Sequence, residues 1–281
     1  MQLSCVKFAH NRFFLSGKVH KMNLNLNGKY ALITGGSRGI GRRTALMLAE
    51  EGCNVAICAR NSEWLEKTKA EIETRGVKSL AIVANARELK DIKRVIELII
   101  NMWGTLHILV NNVGGESEMP LLSPECIPDE VWIESLELNT LAAVRFTRFA
   151  IPYMRKQKWG RVVTLASKHG REGGGRAWYT MAKAAEIGLM KTLAMNFDLA
   201  RDGITFNTVA PGAVLTEQGN WADFLKEDPL KLQEKVMATR PMGRLGLPEE
   251  VAAIIIFICS EQASLLSGAC IPVDGAESHS F

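Results

Sequence analysis

The chain has 281 residues, of which 47% are hydrophobic and 23% are charged, and its formal net charge at pH 7 is +4. This composition is typical of a folded globular protein and excludes a disordered or fibrous chain. The excess positive charge lies in residues 1–29, which contain five basic and no acidic residues. The near-neutral remainder offers no electrostatic surface for nucleic acid or an anionic membrane.

The first 21 residues form a basic, acid-free segment with one short apolar patch at 13–15 and no helix or strand periodicity. We expect a disordered N-terminal extension here, with a targeting presequence as the alternative. Met22 directly precedes the first patterned strand and is a candidate for the functional start. Because no Ser-rich or single-charge linker divides the rest, we expect one domain over 22–281.

From Tyr30 onward, short β-branched runs alternate with longer segments of helical periodicity. The predicted strands cover 30–34, 54–58, 79–83, 107–111, 161–166, 204–209 and 269–273. The predicted helices include 62–75, 89–103, 129–154, 177–200 and 249–260. This alternation implies parallel strands joined by right-handed crossovers. The sequence therefore predicts an α/β fold, a single Rossmann-like doubly wound parallel β-sheet with helices on both faces.

A glycine-rich loop directly follows the first predicted strand and precedes an apolar helix. Glycines in such a loop let the chain turn tightly and bring backbone N–H groups of the helix N-terminus against a diphosphate. Because a strand precedes it and a helix follows, we predict a dinucleotide-binding loop rather than an ordinary turn. Its candidate cofactor-binding residues are Gly35, Ser37, Arg38, Gly39, Ile40 and Gly41.

The second predicted strand ends at Ala59-Arg60-Asn61 and lacks the acid that would bind the ribose 2′-hydroxyl of NAD(H). Arg60, together with Arg38, could instead form charge-assisted bonds to a 2′-phosphate. Either arginine alone could equally be a solvated surface residue. Both together, with Asn61 beside them, predict NADP(H) as the cofactor.

The spacing TGxxxGxG at 34–41 and the run Asn-Asn-Val-Gly at 111–114 resemble the short-chain dehydrogenase/reductase family, over roughly residues 28–275. The resemblance implies that Asn112 and Gly114 border the cofactor, although Val113 replaces the usual alanine. It also implies an adenine contact after the third strand, where Asn85 stands in place of the usual aspartate. An amide oxygen can still accept that hydrogen bond.

Tyr179 and Lys183 lie four residues apart near the start of a predicted helix, so both project from one face. A phenol, whose unperturbed pKa is about 10, becomes a better acid or base at neutral pH when an ammonium stabilises its phenolate. The pattern YxxxK alone also occurs in purely structural helices. Ser167, twelve residues before Tyr179 at the carboxyl end of a predicted strand, favours a catalytic site.

The family resemblance implies the roles of these residues. Tyr179 exchanges the proton with the substrate, Ser167 holds the substrate oxygen, and Lys183 stabilises the phenolate and bonds the nicotinamide ribose. Asn139, inside the predicted helix 129–154, matches the fourth catalytic residue of the family, which supports a proton-relay water. The run 209–216 resembles the PGxxxT stretch that holds the carboxamide, which implies four further cofactor residues, Pro211, Gly212, Val214 and Thr216.

Residues 217–239 occupy the place of the family's mobile substrate lid, and a surface helix is the alternative. Polar and charged side chains between Ser167 and Tyr179 hint at a polar or anionic substrate. The resemblance also extends to the segments at 240–252 and 273–275, although Ala276 replaces a usual glycine.

Six cysteines are dispersed along the chain, without a CxxC pair or a histidine at metal-ligand spacing. We interpret them as buried thiols in a reducing compartment, and expect a cytoplasmic protein without a metal site. The densest apolar stretch, 251–259, is far shorter than the roughly 20 residues of a membrane span, so we expect no membrane partner. The cysteines are Cys5, Cys53, Cys58, Cys126, Cys259 and Cys270.

The motifs together predict an NADP(H)-dependent oxidoreductase acting on a small carbonyl or alcohol. Resemblance to the 3-oxoacyl-[acyl-carrier-protein] reductase type implies a 3-oxoacyl thioester, with a sugar, steroid or small ketone as alternatives that the shared motifs leave open. The alternative outside the enzymes is a catalytically silent NADP(H)-binding regulator. The complete set of four catalytic residues argues against this alternative. By resemblance we also expect a homotetramer.

Overall fold

The computed structural model describes residues 23–115 and 123–280. Over these residues the chain forms one seven-stranded parallel sheet with the order β3-β2-β1-β4-β5-β6-β7. The predicted doubly wound sheet is confirmed, and every predicted strand is present with ends that differ by one or two residues at most. The strands are β1 Tyr30–Thr34, β2 Asn54–Ala59, β3 Ser79–Val83, β4 Ile108–Asn111, β5 Gly160–Leu165, β6 Ile204–Pro211 and β7 Cys270–Val273.

The helices follow the strands in alternation, as the sequence predicts. They are α1 Gly39–Glu50, α2 Ser62–Glu73, α3 Leu89–Trp103, α4 Asp129–Leu136, α5 Ala142–Lys156, α6 Ala177–Ala194, α7 Phe197–Arg201, α8 Asn220–Glu227, α9 Pro229–Thr239 and α10 Pro248–Cys259.

The sheet is buried on both faces, because helices pack against each face and their apolar side chains form a separate cluster there. Ala31 and Ile33 of β1 point into the cluster formed with α1 and α10. Leu32, between them, points into the opposite cluster, which includes α3 and α5. Alternate residues of one strand therefore pack against different helix layers. This two-sided burial explains why the strands read as continuous apolar runs.

The predicted helix 129–154 is wrong as one continuous α-helix. A π-helical turn, Glu137–Leu141, separates α4 from α5. Within this turn the side-chain amide of Asn139 donates to the carbonyl of Ser135 at 2.9 Å. The side chain thus occupies a carbonyl that an α-helix would offer to the backbone N–H of Asn139. The apolar periodicity continues through the turn, so the sequence pattern does not reveal it.

The predicted helix 177–200 is also two helices. α6 ends at Ala194, and the side-chain oxygen of Asn196 accepts hydrogen bonds from the backbone of Asp198 and Leu199 to begin α7. A residue that caps a new helix cannot also continue the old one, and asparagine is among the strongest N-caps. The chain therefore changes direction at Asn196 before entering β6.

The interpretation of all cysteines as buried thiols is partly wrong. Cys53, Cys58 and Cys259 are buried, whereas Cys126 is exposed and Cys270 is half-buried. Cys126 lies with Pro124 in a short 3-10 turn ahead of α4, away from the core that buries Cys53, Cys58 and Cys259. Cys5 and the predicted extension 1–21 lie outside the described residues. Within the described ranges, no helix is long and apolar enough to cross a bilayer.

Candidate active site

A cavity of about 290 Å³ opens at the carboxyl ends of the strands. It lies where the strand order reverses between β1 and β4, which is where doubly wound sheets bind ligands. Ten of the sequence-predicted site residues line it, and the loops after β1, β4, β5 and β6 all contribute. The lining residues are Ile40, Asn112, Gly114, Gly115, Leu165, Ala166, Ser167, Tyr179, Lys183, Pro211, Gly212, Val214, Thr216 and Trp221.

The glycine loop brings the N-terminus of α1 to one end of this cavity. Gly39, the first residue of α1, has φ +55, in the left-handed region that favours glycine. At Gly41 a side chain is excluded, since a Cβ would lie 2.3 Å from Nδ2 of Asn112 and 2.6 Å from the carbonyl of Gly35. At Gly39 and Gly41 no side chain covers the first turn of α1, so its backbone N–H groups can be approached by an anion.

Asn112 fixes the glycine loop to the sheet. Its Nδ2 donates to the carbonyls of Thr34 and Gly35 at 2.9 and 3.1 Å. In return, the hydroxyl of Thr34 accepts from the backbone N–H groups of Asn112 and Val113, both at 3.0 Å. These bonds join the end of β1 to the end of β4, so Asn112 both shapes the loop and lines the cavity.

An acidic side chain reaches the N-terminus of α1 from the loop after β6. The carboxylate of Glu217 accepts from the backbone N–H of Gly39 at 2.9 Å and lies 3.6 Å from the guanidinium of Arg42. Its neighbour Gln218 accepts a hydrogen bond from Arg38. Sequence reasoning did not single out either residue. The only available signal was the position of an acid directly after Thr216.

Arg38 and Arg60 lie at the same edge of the sheet. Arg38 is the N-cap residue of α1, and exposed Arg60 directly follows β2. The β1–β2 register pairs Thr34 with Cys58, so both strands end side by side. The two arginines therefore follow neighbouring strands of the sheet, and their binding of a phosphate stays a prediction.

Two predicted cofactor residues already have structural partners. The side-chain oxygen of Asn61 accepts from the backbone of Trp64 at 2.9 Å and caps α2. Asn85 is half-buried after β3, and its side-chain oxygen accepts from the backbone of Arg87 at 3.2 Å. Neither side chain lines the cavity. Both residues follow the carboxyl ends of strands, at the edge of the sheet where the cavity opens.

Ser167 and Tyr179 meet at the other end of the cavity. Ser167 follows β5, is 7% exposed, and its hydroxyl accepts from the backbone N–H of His169 at 3.2 Å. Tyr179 is half-buried in the first turn of α6. Because β5 ends at the cavity and α6 begins there, the hydroxyl and the phenol face the same space.

Lys183 lies one helical turn beyond Tyr179 and is almost fully buried, at 3% exposed. Its ammonium donates to the carbonyl of Leu165 at 2.8 Å and to the carboxylate of Glu186 at 3.0 Å, and it lies 5.7 Å from the ring centre of Tyr179. Burial acts to lower the pKa of Lys183, but Glu186 and Tyr179 more than offset it, and the pKa is raised above its usual value.

Asn139 sits directly behind this end of the cavity, fully buried in the π-helical turn. Its side chain exchanges two hydrogen bonds with the backbone of Gly115, at 3.0 and 3.1 Å. A Cβ at Gly114 would lie 2.6 Å from Oδ1 of Asn139 and 2.9 Å from Nζ of Lys183. Gly114 therefore brings Asn139 and Lys183 together, and all four predicted catalytic residues converge on one place.

Glu277, close to the C-terminus, connects the loops of the site to one another. The buried carboxylate of Glu277 lies 2.9 Å from the ammonium of Lys168 and 2.7 Å from the guanidinium of Arg240. It also accepts from the backbone N–H of Ala213 at 2.8 Å. The loops that carry Ser167 and Gly212 are thus joined through one side chain that sequence reasoning missed.

Comparisons with known proteins extend over nearly the whole chain. Residues 29–223 match the family model described as short chain dehydrogenase. The chain is 36% identical over 249 residues to 3-oxoacyl-[acyl-carrier-protein] reductase FabG of Staphylococcus aureus, which covers 88% of this chain and 97% of the relative. It is 34% identical over 253 residues to the FabG reductase of Thermotoga maritima, covering 90% of this chain and 98% of the relative.

Among solved structures, the fold matches L-sorbose reductase from Gluconobacter frateurii, which was complexed with NADPH and L-sorbose. The TM-score is 0.86 at 30% identity, covering 92% of this chain and 100% of that chain. The matches confirm the resemblance inferred from the glycine loop and the YxxxK pair.

Proposed function

Since the chain belongs to the short chain dehydrogenase family, we propose that it is an NADP(H)-dependent oxidoreductase that moves a hydride between nicotinamide and a carbonyl or alcohol substrate. One observation carries this proposal. A single cavity is lined by Ile40 of the first turn of α1 at one end and by a serine hydroxyl, a phenol and a buried ammonium at the other. The first end suits a diphosphate and the second suits proton transfer to a carbonyl oxygen.

A nicotinamide dinucleotide fits the residues present. Side chains at Gly39 and Gly41 would obstruct the approach to α1, since a Cβ at Gly39 would lie 3.2 Å from the methyl group of Thr216. The absence of an acid after β2, with Arg38 and Arg60 at that edge, supports NADP(H) over NAD(H). Pro211, Gly212, Val214 and Thr216 would hold the carboxamide end.

The chemistry divides between cofactor and chain. The bound nicotinamide supplies or accepts the hydride. Ser167 donates a hydrogen bond to the substrate oxygen, and Tyr179 delivers the proton to that oxygen in reduction or removes it in oxidation. The Lys183 ammonium stabilises the phenolate that remains after proton delivery and bonds the ribose. Asn139 holds the backbone of Gly115, directly after Gly114 that lies against Lys183, and supports the proton path at that point.

For the substrate, we propose a 3-oxoacyl thioester, supported by the similarity to the two FabG reductases. A sugar ketone is the second candidate, supported by the similarity to a structure that holds L-sorbose. In either case the segment 217–239 would act as a lid, since Trp221 of α8 lines the cavity beside the catalytic residues. We further propose a cytoplasmic homotetramer, on the family resemblance.

The test is NADPH oxidation at 340 nm across acetoacetyl thioesters, sugars and small ketones. Tyr179→Phe removes one hydroxyl, so NADPH binding should persist while turnover falls by roughly 10²–10⁴-fold. Tyr153→Phe on α5, outside the cavity, is the matched control and should keep parent turnover. NADPH binding without turnover on any substrate would favour the silent regulator. Near-parent turnover in Tyr179→Phe would reject the mechanism.

A further inference from the structure

A buried ion pair lies beneath the proposed proton donor. Glu186, one turn beyond Lys183 on α6, is 1% exposed, and its two carboxylate oxygens lie 3.0 and 3.3 Å from the Lys183 ammonium. Within the described part of the chain, Lys183 is its only hydrogen-bond partner. The carboxylate is therefore committed to the same ammonium that serves Tyr179.

A buried carboxylate is a costly choice for the packing of α6. Glu186 occupies a buried position of α6, where an apolar side chain of similar size would avoid the cost of desolvating a charge. A buried carboxylate that has a single charged partner needs a different explanation. Its partner lines the cavity, which places the explanation at the active site.

Few other charged groups face the pair. β6 packs against α6 and has no titratable side chain. The turn after β5 brings Lys168 and His169, and the Lys168 ammonium is paired with Glu277 at 2.9 Å. The π-helical turn brings Glu137, which is paired with Arg145 at 2.7 Å. The charged side chains of α4 and α7 are exposed to solvent, namely Asp129, Glu130, Glu134, Asp198 and Arg201.

We propose that Glu186 is a positioning residue for the reaction proposed above, on which this inference rests. Its carboxylate holds the Lys183 ammonium in place and offsets part of the positive field at Tyr179. This charge favours the neutral phenol, which is the form that donates a proton to a carbonyl. The chain would accordingly be suited to reduction more than to oxidation.

The sign of the effect follows from Coulomb's law. Burial raises the pKa of Glu186 to about 7, against the opposing effect of Lys183, so the carboxylate is charged at the higher pH where a phenol ionises. A nearby negative charge disfavours formation of a phenolate. In Glu186→Gln this charge is lost, while the amide oxygen and the carbonyl of Leu165 still accept from the ammonium. The phenol should then ionise at lower pH.

Spectrophotometric titration near 295 nm measures this directly and needs no substrate. The chain has only three tyrosines, so the difference between the parent and Tyr179→Phe isolates the signal of Tyr179. In Glu186→Gln we expect the midpoint of that signal to fall by about one pH unit. Glu186→Asp keeps the charge and should stay near the parent midpoint. Glu130→Gln, an exposed change on α4, is the control for lost charge alone and should cause no shift.

The same shift should appear in the pH profile of turnover, with oxidation rising at lower pH and reduction falling relative to the parent. An unchanged or higher midpoint in folded Glu186→Gln would overturn the proposal. If Glu186→Gln does not fold, Glu186→Leu is the second variant that removes the charge. Failure of both variants to fold would also overturn the proposal, because the carboxylate would then be needed for the core. An unshifted midpoint alongside an inactive Tyr179→Phe rejects the role of Glu186 alone. A parent without turnover rejects the proposed function.

Discussion

Arg38 and Arg60 are the side chains on which cofactor choice depends at the residue scale. Each charge-assisted bond to a phosphate contributes about 1.5–3 kcal/mol. Arg60→Asp should therefore weaken NADPH binding by roughly 10–100-fold or more and leave NADH affinity much less changed. Arg201→Asp, an exposed change before β6 at the opposite edge of the sheet, should alter neither affinity. Fluorescence titration with both cofactors is the measurement, and equal affinities in the parent would contradict the NADP(H) proposal.

Glu217 is expected to weaken NADPH binding at the same end of the cavity. Its carboxylate accepts from the N–H of Gly39, a group that a diphosphate would also use, so the two anions compete. Glu217→Gln removes the charge and should tighten NADPH binding about 2–5-fold, a modest gain because the side chain is 42% exposed. Glu227→Gln, exposed at the end of α8, is the control. Weaker binding in Glu217→Gln would show that the carboxylate supports the cofactor.

At the scale of elements, Glu277 joins the C-terminal run to the loops after β5 and β6. Its partners Lys168 and Arg240 are 15% and 18% exposed, so Glu277→Gln leaves Arg240 without this anion and Lys168 with only Glu172, 4.0 Å away. We expect the free energy of unfolding to fall by about 2–4 kcal/mol, measured by urea denaturation. Because Lys168 follows Ser167, KM should also rise. Unchanged stability would mean that the loops hold their positions without this contact.

The sequence predicted the strands and helices with unequal success. The strands were predicted closely, because burial on both faces leaves an uninterrupted apolar run. The breaks at Glu137–Leu141 and Asn196 were missed, because one inserted residue or one cap changes the backbone path without changing apolar periodicity. The first break nevertheless positions Asn139 against Gly115 in the candidate site.

For the whole molecule, we expect a chain that begins at Met22 to keep its fold, its turnover and its proposed tetrameric state. The described chain contributes to the core from Leu24 and Leu26 onward, and Leu26 is 1% exposed in the apolar cluster that includes α1 and β2. Those residues remain in the shorter chain. Light scattering and NADPH oxidation are the measurements, with the full chain as control. Loss of soluble protein or of activity would show that residues 1–21 take part in the fold or the site.

The sequence by itself determined the parallel sheet, the glycine loop and the order of Ser167, Tyr179 and Lys183, because these depend on patterns within short neighbouring segments of the chain. Only the tertiary structure decided which side chains meet across long separations. Glu217 reaches Gly39 and Glu277 reaches Lys168 through contacts that no local pattern encodes. Glu186 was visible as a charge in an apolar helix, but its partner depends on which face of α6 the sheet covers. Burial is a property of the folded chain, and burial turns that charge into a group that acts on the site.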